Sequence, residues 1–316
     1  MNESRLELSV VVPLFNEEES LEMLHKELKQ ALVSIPDHEI LYVNDGSTDG
    51  SRDVLMGLQS MDATVRVINF RRNFGKSAAL DAAFSRVQGR YVVTLDADLQ
   101  DDPAEIPEMV AMLKEHDLDL VSGWKKVRND PLSKRLPSRL FNRATRLVSG
   151  LKIHDFNCGL KAYRNEVVRS LEIHGELHRY IPAMAHWAGF RVGEKTVNHR
   201  PRRFGITKFG SSRFLHGFLD LITVMFLNRF RTSPLHFFGM VGGLVLGVGI
   251  VLNIYLLIEW LRTHHIGDRP LLFLAVMTVI VGVQLIFFGL LGEMLARESK
   301  EGSAYQIESI WSSEDQ

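Results

Sequence analysis

Four aspartates lie within seven residues of the stretch "TLDADLQDDP", residues 94–103. Asp96 and Asp98 directly follow the apolar, β-branched run "YVVTL". Carboxylates so close together repel one another unless a cation, a proton or water screens them. Two carboxylates at i and i+2, where the chain leaves a buried strand, can both face one divalent ion, and Mg²⁺ and Mn²⁺ bind hard oxygens of this kind. The spacing therefore predicts a divalent-metal site at Asp96 and Asp98, whose ion would neutralise a diphosphate leaving group.

The remaining two aspartates of this stretch fit a structural role. Asp101 and Asp102 precede "PAEIPEM", in which Pro103 stands at the first position of a predicted helix. Aspartate is a favoured helix N-cap and proline a favoured first helical residue. We therefore predict that Asp101 and Asp102 cap this helix or support the metal site from behind.

Two further segments carry groups that could bind a ligand. Asp45 ends the second predicted strand in "VNDGSTDG", where it could accept hydrogen bonds from a base or ribose, although the same letters are also common turn chemistry. In "NFGKSAA", a phosphate-loop NTPase motif would need glycine five residues before Gly75, and that position is Phe70. No G-x-G-x-x-G follows the first strand, and the histidines lack metal-ligand spacing, so neither a nicotinamide cofactor nor a zinc site is predicted.

Alternating strand and helix signals run from residue 8 to about residue 123. The strand signals are "LSVVVPL", "EILYVN", "VRVINF", "RYVVTL" and "LDLVSG", and later "HDFNCGLKAYR" has the pattern of a loop entering a strand. Nearly continuous apolar strands indicate burial on both faces, and hence an α/β fold with a mostly parallel sheet between helices. Ligands of such sheets lie beyond the carboxyl ends of the strands, where the acidic stretch falls.

The last third of the chain has a different character. Residues 235–258 and 270–292 contain no Asp, Glu, Lys or Arg, and each is longer than the about 20 residues that cross a bilayer. We predict a transmembrane hairpin, with two buried helices of a soluble domain as the alternative. Arg229 and Arg231 precede the first span and favour a cytoplasmic location for that side. The predicted organisation is a cytosolic catalytic domain over 1–210, an amphipathic juxtamembrane helix over 211–232, the two spans within 233–296, and a cytosolic tail over 297–316.

Charge is segregated along the chain although the net charge is only -1. Residues 125–152 hold nine Lys or Arg against one acid, Asp130. This pattern predicts a surface for anions or an anionic membrane. The single cysteine, Cys158, excludes an internal disulfide and is predicted to be a buried thiol.

Five motifs in order, followed by two spans, resemble one family. The motifs are "VVPLFNEEES", "VNDGSTDG", "DADLQDDP", "HDFNCGLKAYR" and "RRFGITKFG". Together they resemble the polyprenyl-phosphate glycosyltransferases of glycosyltransferase family 2, which have the GT-A fold and include dolichol-phosphate mannose synthases and bacterial undecaprenyl-phosphate glucosyltransferases. The resemblance covers essentially the whole chain, and the hairpin is most similar to the glucosyltransferases that supply lipid-linked sugar for O-antigen modification.

The resemblance implies roles for particular residues. Metal binding by Mg²⁺ or Mn²⁺ is implied for Asp96, Asp98 and Gln100, and catalytic roles for Asp98 and Asp155, the latter as a base. The implied nucleotide-sugar-binding residues are Pro13, Phe15, Glu17, Asp45, Lys76, Asp96, Arg202 and Lys208. The basic residues that we predict to draw in the lipid phosphate are Arg128, Arg135, Arg139 and Arg143; a membrane-facing surface is the alternative for these arginines.

The implied reaction is transfer of a hexose, with glucose from UDP-glucose as the expected donor, to undecaprenyl phosphate with inversion. GDP-mannose or another nucleotide sugar is the alternative donor. The implied location is the bacterial inner membrane, with a homo-oligomer such as a tetramer and no nucleic-acid partner. A phosphate monoester is already largely ionised at neutral pH, with a second pKa of about 6, so it hardly needs Asp155 as a base. A processive polysaccharide synthase would need more spans and a Gln-x-x-Arg-Trp motif, which is absent, and a non-catalytic scaffold or nucleotide-sugar sensor would not need the intact acidic pair.

Overall fold

The computed structural model describes residues 6–126, 132–171, 173, 175, 177–201, 233–264 and 270–298; the side chains of 132–140 and 296–298 lie outside this description. The chain divides into two compact units, Met1–Val224 and Met225–Gln316. The predicted juxtamembrane helix over 211–232 lies outside the described residues.

The described residues of the first unit contain one seven-stranded sheet with the order β3-β2-β1-β4-β6-β5-β7. Only β6 runs antiparallel to its neighbours, β4 and β5, so the sheet is mostly parallel as predicted. The five predicted N-terminal strands and the strand after "HDFNCGL" are confirmed, whereas β7 was not predicted. The strands are β1 (Leu8–Leu14), β2 (His38–Asn44), β3 (Val65–Asn69), β4 (Tyr91–Thr94), β5 (Leu120–Trp124), β6 (Lys161–Arg164) and β7 (Val192–Thr196).

Helices cover both faces of the sheet because alternate strand residues point to opposite sides. In β1, Val10 and Val12 pack in one apolar core with Leu24 of the first helix. Val11 packs in a second core with Ala79 and the helices that follow β3 and β6. The helices are α1 (Glu18–Ala31), α2 (Ser51–Met61), α3 (Lys76–Phe84), α4 (Ile106–Glu115), α5 (Leu132–Ser149), α6 (Asn165–Ser170) and α7 (Ile181–Trp187), with short 3-10 turns at Leu32–Ser34, Pro103–Glu105 and Leu177–Arg179.

The strand directions bring several loops to one edge of the sheet. Strands β1 to β5 all end at the same edge, and β6 begins there because it runs antiparallel. The loops after these five strands and the loop before β6 therefore meet at the carboxyl edge. Ligands of open α/β sheets bind in this position.

The second unit contains two long apolar helices, Pro234–Thr263 and Pro270–Glu298, which confirm the two predicted helical segments. Both are long and apolar enough to cross a membrane. Glycines let them approach closely, since a Cβ on Gly242 would lie 2.9 Å from the carbonyl oxygen of Gly282. Many large apolar side chains on the outer faces are exposed, for example Phe273 at 76%. Such faces are typical of helices surrounded by lipid.

Candidate active site

The loops after β1 and β2 are locked together at the carboxyl edge. Asn16 has φ 55°, and its side-chain oxygen accepts a hydrogen bond from the Thr48 N–H at 2.8 Å. The Glu17 N–H donates to the Ser51 hydroxyl at 3.0 Å. Of the predicted nucleotide-binding residues here, Pro13 is buried in β1, whereas Phe15 and Glu17 are half-buried where the chain leaves it. The hydrogen bonds between these two loops therefore fix their positions beside the ends of β1 and β2.

Asp45 holds the loop that follows β3. One of its carboxylate oxygens accepts the Phe74 N–H at 2.7 Å, and the other accepts the Gly75 N–H at 2.9 Å. Burial raises the pKa of Asp45, although these two backbone hydrogen bonds oppose the rise. Its neighbour Gly46 has φ +68°, and a Cβ there would lie 2.3 Å from the backbone of Arg72. The sequence placed Asp45 at the correct strand end but did not predict its hold on this loop.

Lys76 and Asp96 form an ion pair at the centre of the edge. Lys76 begins α3, and its ammonium group contacts a carboxylate oxygen of Asp96 directly after β4. Burial alone would raise the pKa of Asp96, but the ammonium groups of Lys76, Lys125 and Lys161 outweigh it and lower that pKa to about 2. Asp96 is therefore a carboxylate at any physiological pH.

The other three aspartates of the acidic stretch have different partners. Asp98 accepts the Gln100 N–H at 3.2 Å, a local bond that shapes the turn after β4. Asp102 accepts the Ala104 N–H at 3.1 Å and caps the turn that Pro103 begins, as predicted. Asp101 does not cap; it is completely buried and pairs with the Lys125 ammonium at 2.7 Å. That ion pair explains why an aspartate can stand inside the protein.

The chemistry of this stretch suits a hard divalent cation. Asp96 and Asp98 offer carboxylate oxygens, and the Lys76 contact shows that the Asp96 oxygen already attracts a cationic group. Among the described residues, no cluster of three or more His, Cys, Asp or Glu side chains could hold a metal ion without further ligands. Mg²⁺ and Mn²⁺ commonly use one or two carboxylates and complete their shell with water and substrate phosphates. The pair fits that mode of binding.

The loop before β6 lies directly against the acidic stretch. A Cβ on Gly159 would lie 2.6 Å from a carboxylate oxygen of Asp96, so a larger residue here would displace that side chain. The Thr94 hydroxyl donates to the Gly159 carbonyl at 2.9 Å and fixes the two segments together. Asp155, in the same loop, is buried, and its carboxylate accepts the Asn157 N–H at 3.2 Å. The structure thus brings the segment of Asp155 to the same edge as Asp96.

Two buried lysines support the site and were not predicted. Lys161 of β6 stands opposite Thr94, is only 4% exposed, and donates to the Cys158 carbonyl. Burial lowers the pKa of Lys161 to about 8. Lys125 is mostly buried beside Asp101, and its pKa is raised because the attraction of that carboxylate exceeds the effect of burial. A lysine inside an apolar strand, as in "GLKAYR", is the one sequence signal that could have indicated Lys161.

Five of the predicted basic residues lie outside the described side chains. Arg202, Lys208 and Arg128 lie outside the described residues, and Arg135 and Arg139 lie on α5 in a stretch whose side chains are not described. Arg143 is exposed on α5. The predicted buried state of Cys158 is confirmed, and burial raises the pKa of its thiol to about 12.

The architecture is a GT-A-like fold, in which a mostly parallel sheet presents an acidic loop after the fourth strand. The glucosyl-3-phosphoglycerate synthase of Mycobacterium tuberculosis, solved with Mn²⁺, UDP-glucose and glycerol 3-phosphate, superimposes with a TM-score of 0.54 over 71% of this chain and 80% of that one. Only 19% of the aligned residues are identical, so the likeness shows the fold alone.

Residues 9–171 match the family model described as Glycosyl transferase family 2. The chain belongs to this family and is a glycosyltransferase, in agreement with the resemblance described above. Dodecaprenyl-phosphate galacturonate synthase of Rhizobium johnstonii is 40% identical over 92% of this chain and 88% of its own length. Undecaprenyl-phosphate 4-deoxy-4-formamido-L-arabinose transferase of Pseudomonas aeruginosa is 36% identical over 92% of this chain and 85% of its own length.

Proposed function

We propose that this enzyme transfers a sugar from a nucleotide diphosphate sugar to polyprenyl phosphate. The observation that carries the proposal is the close packing of two segments, the acidic stretch at Asp96 and the Asp155 loop, through Gly159. A donor held by the first segment would meet an acceptor at the second. Relatives 40% and 36% identical over 92% of the chain are named for products or acceptors of this class.

The donor side consists of strands β1, β2 and β4 with their loops. Pro13, Phe15, Glu17 and Asp45 would frame the base and ribose. Asp96, Asp98 and Gln100 would hold Mg²⁺ or Mn²⁺, which when bound supplies positive charge for the diphosphate of the donor. Lys76 contacts Asp96 and would reach a donor phosphate from the same position. The N–H of Arg200 donates to the Gln100 carbonyl at 2.9 Å, so the chain that leads to the predicted phosphate ligands Arg202 and Lys208 starts against the acidic stretch.

The reaction requires one bond to form and one to break. An oxygen of the lipid phosphate attacks the anomeric carbon, the bond from that carbon to the diphosphate oxygen breaks, and the electron pair leaves with the nucleoside diphosphate. In-line attack inverts the anomeric centre. Because the phosphate monoester is largely ionised at neutral pH, with a second pKa of about 6, Asp155 need not remove a proton. We assign Asp155 a role in orienting a sugar hydroxyl or a basic partner of the acceptor.

The acceptor places the enzyme at a membrane. The two apolar helices would form a transmembrane hairpin in the bacterial inner membrane, with the catalytic domain in the cytoplasm. Exposed Arg143, together with Arg128, Arg135 and Arg139, would attract the lipid phosphate or the anionic surface around it. A homo-oligomer, such as a tetramer, would form through the C-terminal half.

The donor sugar is the finer part of the proposal. UDP-glucose is the donor expected from the resemblance, whereas the relatives named above carry galacturonate or formamidoarabinose in their names. A uronic acid adds a carboxylate and a formamidopentose adds an amide. The three sugars therefore need different partners in the pocket.

A donor panel tests the proposal. Purified full-length enzyme in detergent would be incubated with undecaprenyl phosphate, Mg²⁺ and radiolabelled UDP-glucose, UDP-galacturonate, UDP-formamidoarabinose or GDP-mannose, and lipid products would be resolved by chromatography. We expect one donor to give a labelled lipid and the Asp96→Asn variant to give none. A labelled lipid from a donor other than UDP-glucose would correct the sugar, whereas no lipid product from any donor would refute the class of reaction.

A further inference from the structure

A carboxylate on β7 holds the backbone immediately before and at Asp155. One oxygen of Glu194 accepts the His154 N–H at 2.6 Å and the Asp155 N–H at 3.0 Å. Its other oxygen pairs with Nδ1 of the His154 ring at 2.7 Å. Glu194 stands 39 residues beyond Asp155 in the sequence, and its side chain is only 12% exposed. Charge-assisted bonds of this kind are about twice as strong as neutral ones.

The other side of the same peptide is also held. The hydroxyl of Ser122, the residue paired with Glu194 across β5 and β7, donates to the Asp155 carbonyl at 3.2 Å. The His154 ring stacks on Trp124 at the end of β5, with 4.1 Å between centroids and an angle of 15°. The N–H and the C=O of Asp155 are therefore both bonded to neighbouring strands, and the preceding side chain is packed in place.

These contacts do more than attach the loop to the sheet. His154 remains half-exposed, so the Glu194 pair does not serve to bury that ring. All of these contacts are made to residues 154 and 155. The Asp155 carboxylate, which also accepts the Asn157 N–H at 3.2 Å, extends from the peptide that they fix. A reactive group must be held within fractions of an ångström, and a displacement of about 1 Å from a distant substitution can cost about 100-fold in rate.

We propose that Glu194 is a positioning residue of the acceptor side, which fixes the His154–Asp155 peptide and thereby aims the Asp155 carboxylate. The proposal rests on the function proposed above, in which Asp155 faces the acceptor. In this proposal Glu194 contacts neither substrate, and its effect on the reaction passes through Asp155.

The first test compares two Glu→Gln substitutions. Glu194→Gln removes the negative charge that holds the His154 ring and the two backbone N–H groups, and we expect kcat to fall about 10- to 100-fold, with the KM of the donor unchanged within about 2-fold. Glu105→Gln is the matched control, because Glu105 also accepts a backbone N–H, that of Asn198 at 3.1 Å, and pairs with Lys195 of the same strand. We expect Glu105→Gln to lower the melting temperature by a similar amount while kcat stays at the wild-type value.

The second test is a double-mutant cycle with Asp155→Asn. If Glu194 acts through Asp155, Glu194→Gln lowers the rate less than about 2-fold in the Asp155→Asn background. The same fold-loss in both backgrounds, or a wild-type kcat for Glu194→Gln, would overturn the proposal. If Glu194→Gln does not fold, Ser122→Ala takes its place, with a loss of about 2- to 5-fold expected in the wild-type background alone. Wild-type enzyme that makes no lipid-linked sugar would refute the proposed function instead, so the two failures are distinguishable.

Discussion

The two halves of the sheet organise their loops in different ways. On the half that the proposed function assigns to the donor, formed by β3, β2, β1 and β4, loops from successive strands hold one another, as where Asp45 accepts the N–H groups of Phe74 and Gly75. On the acceptor half, formed by β6, β5 and β7, the loop before β6 is held by a side chain from within a strand, Glu194 of β7. The donor half also keeps the parallel arrangement, whereas β6 runs antiparallel to β4 and β5.

The difference suggests which half varies with the substrate. The donor half is built from short motifs whose loops bind one another. Such a fixed arrangement suits the nucleoside diphosphate, because this group is common to donors that carry different sugars. Side chains from separate strands build the acceptor half, and each can change independently. We expect substitutions on the donor half to affect donor binding or departure of the diphosphate, and substitutions on the acceptor half to lower turnover without affecting donor binding.

The largest predicted effect is that of Asp96→Asn on the donor half, which is compared with Asp155→Asn on the acceptor half. Asp96→Asn is expected to lower lipid-linked sugar formation by about 1,000-fold or more, because the diphosphate loses the cation that balances its charge. Asp155→Asn is expected to lose only about 10- to 100-fold, because the acceptor phosphate is already ionised. Both rates would be measured at saturating Mg²⁺ and donor. Equal losses in the two variants would contradict the distinction between the halves.

Lys76→Met is expected to raise the KM of the nucleotide sugar about 10-fold or more while the KM of the lipid changes little. The ammonium group contacts Asp96 on the donor half, and a hydrogen bond to a charged group is worth about 1.5–3 kcal/mol. Lys114→Met is the control, since Lys114 pairs with Glu7 near the opposite edge of the sheet. The assignment of Lys76 to the donor would fail if the variant changed only the KM of the lipid.

Asp45→Asn tests whether loop order on the donor half supports donor binding. Asparagine offers one acceptor oxygen where two backbone N–H groups now bond, so we expect a loss of about 1–3 kcal/mol in stability and a higher KM for the donor. Asp62→Asn is the matched control, because Asp62 accepts the Thr64 N–H at 2.8 Å and pairs with Lys29 before β3. If both variants raised the KM of the donor, the cause would be a general loss of stability and not the loop that Asp45 holds.

The smallest predicted effect concerns the buried cation of the acceptor half. The folded-state pKa of Lys161 is lowered to about 8 from its ordinary value of 10.5, so between these values the folded state binds fewer protons than the unfolded state. The free energy of unfolding should therefore rise with pH through this window, by about 1–2 kcal/mol between pH 8 and 9.5. Denaturant unfolding of metal-free wild type and Lys161→Met, followed by tryptophan fluorescence, would measure this difference. If the free energy of unfolding changed with pH in the same way for both proteins, the lowered pKa of Lys161 would be contradicted.

The sequence predicted the donor half better than the acceptor half for physical reasons. Strands β1 to β5 are apolar runs punctuated by turn residues, and Asp96 and Asp98 stand directly after one of them. Strand β7 was not predicted, because "VGEKT" is partly polar and lies at the edge of the sheet. Pairing on an edge strand is decided by tertiary contacts more than by propensity.

For individual site residues, the distance between partners along the chain decides what can be predicted. Asp102 was predicted as a helix cap because its partner lies two residues away, at Ala104. The ion pair of Asp101 with Lys125 and the hold of Glu194 on His154 join residues 24 and 40 positions apart. Spacing in a single sequence contains no information on such contacts.

The most direct test of the central claim is calorimetric binding of the nucleoside diphosphate to wild type and to Asp96→Asn, each with Mn²⁺ and each with chelator. We expect wild type to bind UDP, or the diphosphate of the donor identified by the panel, at least about 10-fold more tightly with Mn²⁺ than with chelator. We expect Asp96→Asn to show no such gain. Equal affinity of wild type with Mn²⁺ and with chelator would contradict a metal bridge between the acidic pair and the donor.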